Sequence, residues 1–368
     1  MIGLHYKLRR GDFALDVDIE LPMQGITGLF GVSGAGKTTL LRCIAGLEDA
    51  TKGKLTVAGD TWEDSDTNSS RSVQQRNIGY VFQEPRLFDH LTVQANIEYG
   101  QKRREQNGTA DFDHVIELLG LQQLLSRHPS ALSGGEAQRV AIARALLCSP
   151  KFVLMDEPLA SLDQARRDEI LPFLDRLHAE SEIPIIYVSH NIDEVCRLCD
   201  HLVVIEDGQV VVSGELQDVL VRMDVDALDG DHAGSVIEGI AGGYDKTDDL
   251  TQLAFSGGDL WVPGKAATDG ESLRLRIRAS DVSLCRSRPE QSTILNILPA
   301  TVDAIHAKDG PSTLVRLLLG NDRILARVTR RSIRELALQP GDELYAQIKS
   351  VAVRASTASR ASSSSETS

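Results

Sequence analysis

Apolar positions along the chain follow two textures. Up to about residue 225, short strand-like runs (IGLHYKL, FALDVDIEL, GITGLFG) alternate with stretches of helical spacing, whereas beyond Val225 the runs are short and often alternating. GITGLFG feeds directly into GAGKTTLLRCIAGL, where Leu40, Leu41, Ile44 and Leu47 recur at helical intervals, so strand, loop and helix are predicted in that order. KFVLMDEP and IPIIYVSH are continuous apolar runs, as parallel strands covered on both faces require, and RRDEILPFLDRLHAE between them reads as a helix. HLVVIEDGQVVVSG predicts a hairpin turned at Asp207 and Gly208. The first texture is therefore an α/β domain with a parallel core and some antiparallel strands.

In the second texture, DALDGDHAGSV and GGYDKTDD are acidic, glycine-containing connectors between runs such as SLRLRIRASDVSLC, STLVRLLLG and ELYAQIKSVAVR. They predict a mostly β domain starting near residue 233. STASRASSSSETS has nothing to bury and reads as a disordered tail. EDSDTNSSRS at 63–72 and QKRREQNGTA at 101–110 read as exposed loops.

A length of 368 residues suits two domains. The net charge of -14 opposes nucleic acid as a partner. Cys43, Cys148, Cys196, Cys199 and Cys285 are scattered and odd in number, as in a reducing compartment. Cys196 and Cys199 form a CxxC inside an apparent helix with no second pair at zinc spacing, so no metal is assigned there. The start MIGLHYKLRRGDF lacks an export-signal pattern, and no uninterrupted apolar run is long enough to span a bilayer.

Chemistry concentrates in the first texture. GVSGAGKT matches G-x-x-x-x-G-K-[ST] through Gly31, Gly36, Lys37 and Thr38, in the strand-to-helix setting that this phosphate loop requires. Its glycines let backbone N–H groups converge on phosphates, Lys37 reaches the outer phosphates, and Thr38 can ligate magnesium. Asp156 ends the apolar run FVLMD, where a carboxylate needs a cation or hydrogen bonds, and magnesium is the obvious partner. Glu157 follows directly and can aim elsewhere, at a water in line with the γ-phosphate. LSGGE opens the helix AQRVAIARALL, so Ser133 can cap it while bare glycine backbone approaches a second phosphate end.

The order GVSGAGKTT, VFQEPRLF, LSGGEAQRVAIARAL, FVLMDEP, SLD and VSH resembles the full motif set of ABC-type ATPases, over about 220 residues. That resemblance implies a P-loop NTPase of ABC type, with a mixed sheet and a helical subdomain. It also implies that two copies close head to tail. ATP held at Gly31, Ser33, Gly34, Gly36, Lys37, Thr38 and Thr39 of one would be capped by Ser133, Gly134 and Gly135 of the other. Glu157, His190 and Gln83 would be the catalytic group, with Thr38, Gln83 and Asp156 around magnesium and Asp163 crossing between the copies. His190 would contact the γ-phosphate and hold Glu157 and the water. Gln83 would also lie in the segment facing membrane subunits. Where the family stacks an aromatic on adenine, LRRGDFAL has Arg10, leaving Phe13 or Arg10 itself as the stacking group, or Phe13 as a core residue.

One phosphate loop, no repeat and no sustained heptads exclude the two-domain translation type and the coiled-coil DNA-repair type. A detached importer ATPase with a C-terminal domain remains. Residues 291–354 resemble the molbindin-type oligobinding fold, an all-β barrel, through TILN, RRSIRELAL, PGDEL and IKS. The same resemblance nominates Thr293, Asn296, Lys349 and Ser350 for a tetrahedral oxyanion, although Leu295 stands where an arginine is usual. A purely structural barrel that pairs the two ATPases is the other reading of that domain. The divisions read as 1–232 for ATP binding, 233–290 as a β-rich connection, 291–355 as the molbindin-like domain and 356–368 as the tail. The resemblance as a whole is to ATPases of molybdate importers. It implies a homodimer on the cytoplasmic face of the inner membrane, an integral permease and, indirectly, a periplasmic molybdate-binding protein. A sulfate or iron importer, or a soluble ATPase with a structural tail, are the alternatives.

Overall fold

A computed structural model describes residues 1–101, 111–307 and 310–349 and the backbone of 354–357. The chain divides into two units, Met1–Gly214 and the remainder from Glu215. In the first, β1 (Ile2–Arg10), β2 (Phe13–Leu21) and β3 (Ile26–Phe30) lead through the glycine-rich loop into α1 (Lys37–Ala45). Then come β4 (Lys52–Val57), β5 (Asp60–Asp64), β6 (Ser69–Ser70) and β7 (Ile78–Val81). A helical part follows, with α2 (Val93–Gln101), α3 (Phe112–Leu118) and α4 (Gly134–Leu146). The chain returns through β8 (Phe152–Asp156), α5 (Gln164–Glu180), β9 (Ile185–Val188), α6 (Ile192–Leu198), β10 (His201–Glu206) and β11 (Gln209–Glu215).

These strands form one sheet in the order β6-β5-β4-β1-β2-β11-β10-β3-β9-β8-β7. Every residue of β3, β8 and β9 is buried, which is why those runs show no alternation in sequence. β1 alternates instead, burying Ile2, Leu4, Tyr6 and Leu8 on one face. Because β3, β9, β8 and β7 are neighbours and all parallel, the loops after their C-terminal ends open at one edge of the sheet. That edge carries the phosphate loop, His190, Asp156 with Glu157, and Gln83. No described helix is long and apolar enough to cross a membrane.

Residues 63–72 differ from the loop expected of them. Glu63 and Asp64 end β5, which pairs with β6 across a turn, and Glu63 leaves solvent to meet the buried Arg76 guanidinium at 2.7 Å. Tyr6 donates to the same carboxylate oxygen at 3.0 Å. A polar stretch thus supplies one half-buried anion to two distant partners. Of 101–110, only Gln101, the last residue of α2, is described; the remainder lies outside the described residues.

The second unit starts with α7 (Leu216–Leu220) and continues through β12 (Gly234–Asp245), β13 (Leu250–Phe255), β14 (Gly258–Pro263), β15 (Ser272–Arg278) and β16 (Val282–Cys285). β17 (Asn296–Ala307), β18 (Ser312–Leu319), β19 (Asp322–Thr329), α8 (Arg330–Glu335), β20 (Glu343–Ile348) and β21 (Arg354–Thr357) complete it. Two antiparallel sheets result, β14-β13-β12-β15-β21 and β16-β20-β17-β18-β19. They share one apolar core, in which Ile237, Leu253 and Leu275 of the first sheet meet Val302, Leu317, Ile324 and Ala346 of the second. β21 carries regular pairing as far as Thr357, two residues into the stretch whose composition reads as tail.

Candidate nucleotide site

The phosphate loop is built where β3 ends and α1 begins. Gly36, the N-cap of α1, takes φ 102°, and a Cβ there would lie 2.8 Å from the Phe13 ring, so both conformation and space demand glycine. Phe13 therefore rests on the loop itself, half-buried against the core, while Arg10 is engaged by Glu48. The loop is also gripped from the β10–β11 turn. Gly208 N–H donates to the Ala35 carbonyl at 3.1 Å, and the Gly208 carbonyl accepts from Asp16 N–H at 2.8 Å. A Cβ at Gly208, φ 77°, would lie 1.9 Å from the Ala14 carbonyl oxygen.

Lys37 is buried, and its ammonium donates to the carbonyls of Gly31 at 2.8 Å and Val32 at 2.9 Å. Burial pulls its pKa down, while Glu157 and Asp156 pull it back up. Thr38 and Thr39 continue the first turn of α1, and Ser33 and Gly34 are exposed at the loop tip.

Across from the loop, Asp156 accepts from Thr38 Oγ1 at 2.8 Å through one oxygen and from Tyr80 OH at 3.1 Å through the other. Burial holds its carboxyl above the usual range, and the two hydroxyl donors oppose that shift. A hydroxyl and a carboxylate side by side are hard oxygen donors, a set that suits magnesium, which commonly uses one or two carboxylates alongside phosphate oxygens and water. The residues present fit that ion.

Glu157 takes a left-handed φ of 47°, and the turn sends its carboxylate away from Asp156 to His190, whose Nδ1 lies 3.0 Å from Oε2. Adjacent acids thus serve different neighbours. His190 is exposed, while Gln83 is exposed just beyond β7. The backbone beside Gln83 is held from α4. The buried Gln138 amide donates to the Phe82 carbonyl at 3.2 Å, and Arg144 donates to the Pro85 carbonyl at 3.1 Å.

Ser133 caps α4 as its sequence implies. Its hydroxyl accepts from Glu136 N–H at 3.2 Å, and the Glu136 carboxylate accepts from Ser133 N–H at 2.7 Å. Gly134 and Gly135 form the first turn, and Asp163 caps α5 by accepting from Arg166 N–H at 3.0 Å. Among the described residues, the side-chain hydrogen bonds of Ser133 and Asp163 stay within their own helix starts and do not reach the phosphate loop. The fold thus gathers Gly31 to Thr39, Asp156, Glu157 and His190, and leaves Ser133 to Gly135 as a separate surface.

In the second unit, Asn296 is buried and its amide is committed to Trp261, accepting from the backbone N–H at 2.7 Å and donating to the carbonyl at 3.1 Å. Thr293 and Lys349 are exposed, and Lys349 directly follows Ile348, the ladder partner of Asn296. Ser350 lies outside the described residues.

Nothing in the sequence marks the contacts of Tyr80, Gln138 and Arg144. Tyr80 sits in the apolar run IGYVF, where nothing but three-dimensional proximity marks its hydroxyl. Gln138 and Arg144 lie within and beyond LSGGEAQR, at a spacing that reads only as the polar face of a helix.

The ABC transporter family matches residues 15–160, and the TOBE domain family matches residues 292–355. The chain is 49% identical over 354 residues to the molybdenum import ATP-binding protein ModC 1 of Azotobacter vinelandii, covering 96% of this chain and 98% of the relative. It is 51% identical over 354 residues to the molybdenum import ATP-binding protein ModC of Albidiferax ferrireducens, covering 96% of each. Among solved structures, cbiO1 from Clostridium perfringens, part of the ABC transporter complex cbiONQ, aligns with a TM-score of 0.52 at 26% identity. That match covers 60% of this chain and 90% of the other.

Proposed function

The chain belongs to the ATP-binding subunits of ABC transporters, and from that membership we propose that it is the ATP-hydrolysing subunit of a molybdate importer. The observation that carries the substrate is near-full-length identity of about one half to molybdenum import ATP-binding proteins, across the C-terminal unit as well as the nucleotide site. Such identity over both units argues against a sulfate or iron importer and against a soluble ATPase.

The site performs hydrolysis through four tasks. The loop Gly31 to Thr39 and the N-terminus of α1 bind the triphosphate, with Lys37 exchanging its two carbonyl partners for phosphate oxygens. Thr38, Asp156 and Gln83 would hold magnesium, which when bound neutralises charge developing on the phosphates. Glu157 orients and deprotonates the attacking water, a role worth about 10²–10⁴-fold in rate. His190, hydrogen-bonded to Glu157, fixes that carboxylate and the γ-phosphate end.

Ser133, Gly134, Gly135 and Asp163 remain as helix-start surfaces for a second copy of the chain, whose loop they would complete in a homodimer. The segment from Gln83 to Tyr99, tied to α4 by Gln138 and Arg144, is the surface for an integral permease. The assembly works at the cytoplasmic face of the inner membrane, with a periplasmic molybdate-binding protein supplying the permease. For the C-terminal unit the structural role is favoured, since the Asn296 amide is already occupied by Trp261.

The test is ATPase activity of the chain reconstituted with its permease and a loaded binding protein. Molybdate should raise turnover while sulfate and iron leave it at the basal level. Stimulation by sulfate or iron alone would overturn the substrate assignment.

A further inference from the structure

Beneath the two loops that carry the hydrolytic residues lies a buried carboxylate that has no part in the hydrolysis just described. Glu194, in the first turn of α6, is 6% exposed and accepts from Tyr187 OH at 3.0 Å and Ser189 Oγ at 2.8 Å through one oxygen. Its other oxygen accepts from Asn191 Nδ2 at 3.3 Å and lies 3.8 Å from the Arg167 guanidinium. Ser189 and Asn191 are the residues on either side of His190, and the Ser189 hydroxyl also accepts from Asn191 N–H at 3.0 Å.

Arg167 completes the link. From α5 it donates to the carbonyls of Leu159 at 3.1 Å, Leu162 at 3.0 Å and Ala160 at 3.4 Å. Those carbonyls belong to the turn that begins with Glu157 and ends at Asp163. One ion pair therefore joins the backbone around His190 to the backbone between Glu157 and Asp163. The side chains of His190 and Glu157 meet on the exposed side of the same two loops.

We propose that Arg167 and Glu194 are positioning residues for hydrolysis, which hold the His190 loop and the Glu157–Asp163 turn in register so that His190 and Glu157 meet at hydrogen-bond distance. An ion pair with a buried Glu194 and a half-buried Arg167 is a poor source of net stability compared with apolar packing, but its directional bonds fix geometry. Apart from the one from Tyr187 in β9, the side-chain bonds of the pair end on a loop that bears a hydrolytic residue. The pair also connects Asp163, on the surface offered to a second copy, with the residue that orients water. Contact at Asp163 is thereby transmitted to the hydrolytic geometry without touching nucleotide grip, which depends on α1 and its loop. This inference rests on the reading of Glu157 and His190 as the hydrolytic pair.

The full-length chain with Glu194→Gln should bind a fluorescent ATP analogue as the unmodified chain does, yet lose about ten- to a hundredfold in kcat, as misplacement of reacting groups does. Arg167→Lys should behave alike, and the double variant should be no slower than the slower single one, because both act through one link. Arg197→Gln is the control. Arg197 pairs with Asp175 at 2.6 Å between the same two helices, away from both loops, so its loss should lower melting temperature and leave kcat intact. Should Glu194→Gln fail to fold, Ser189→Ala removes a single donor from the cluster and should show the same split between kcat and binding, to a smaller degree.

Unchanged kcat in the folded Glu194→Gln or Ser189→Ala protein would overturn the proposal, as would additive losses in the double variant. Glu157→Gln separates the two readings. If Glu157→Gln hydrolyses ATP normally, the hydrolytic assignment itself fails. If it is inactive while Glu194→Gln is not, only the positioning role fails.

Discussion

Ser133 and Glu136 illustrate how one residue can answer to two demands. The bond from Ser133 N–H, chiefly, holds the Glu136 carboxyl below its ordinary value of 4.5, with burial opposing. A depressed folded value means that this contribution to stability is complete above 4.5 and is lost as pH falls through the lower folded value. Glu136→Gln keeps the reach-back bond to Ser133 but removes the charge beside the helix start, worth about 0.3–1 kcal/mol. Thermal melts should therefore find the variant slightly less stable at neutral pH and equal to the unmodified chain in acid, where both side chains are neutral. At this scale the sequence was informative where chemistry forces a residue type. Gly36 is required by its φ and its contact with Phe13, and Asp156 stands out as an acid closing an apolar strand. Tyr80 was hidden because a tyrosine in an apolar run has the same pattern whether its hydroxyl meets a carboxylate or nothing.

Strands and helices were readable wherever burial left a period or a continuous apolar run. The fully buried β3, β8 and β9 and the hairpin turn at Asp207 and Gly208 all stand where the apolar runs put them. The hairpin of β5 and β6 was not readable, because apart from Trp62 its sequence is polar and its fixing contact is to Arg76 and Tyr6. Arg76 is 2% exposed and also donates to the carbonyls of Cys43, Ile44 and Arg71. Glu63→Ala would leave that guanidinium buried without its counter-charge, a loss that typically costs about 3–5 kcal/mol. Denaturant unfolding should place this variant toward the lower end of that range, since three carbonyls still satisfy part of the cation. A cost near zero would mean that the β5–β6 hairpin is held by its backbone alone. Cys43, packed beside Tyr6, is pushed up to about 12 by burial, so its thiol stays protonated and inert while the fold holds.

Across the molecule, the two units differ in how much of their arrangement the sequence declares. The nucleotide unit is marked by motifs that chemistry fixes at certain positions, whereas the β unit is a core of alternating strands whose partners are chosen by packing alone. Asn296 is the instructive residue, because the same buried amide reads as an oxyanion donor by resemblance and bonds Trp261 in the structure. Asn296→Ala leaves a backbone N–H and a carbonyl unsatisfied, at a cost of about 1–3 kcal/mol. Calorimetry of the full chain should register that loss in melting while a molybdate titration stays as it was. Loss of saturable molybdate binding with no change in melting would give the residue to the ligand instead. The β10–β11 turn has a consequence for anyone who wishes to label or split this protein. Ala58 with Gly59 and Asp207 with Gly208 are both tips of hairpins with positive φ, and both look like permissive places to insert a reporter. Gly59 has open space around it, but Gly208 is wedged against Ala14 and tethers Ala35, so an insertion there would loosen the grip on nucleotide from a site some 170 residues downstream of the loop it disturbs.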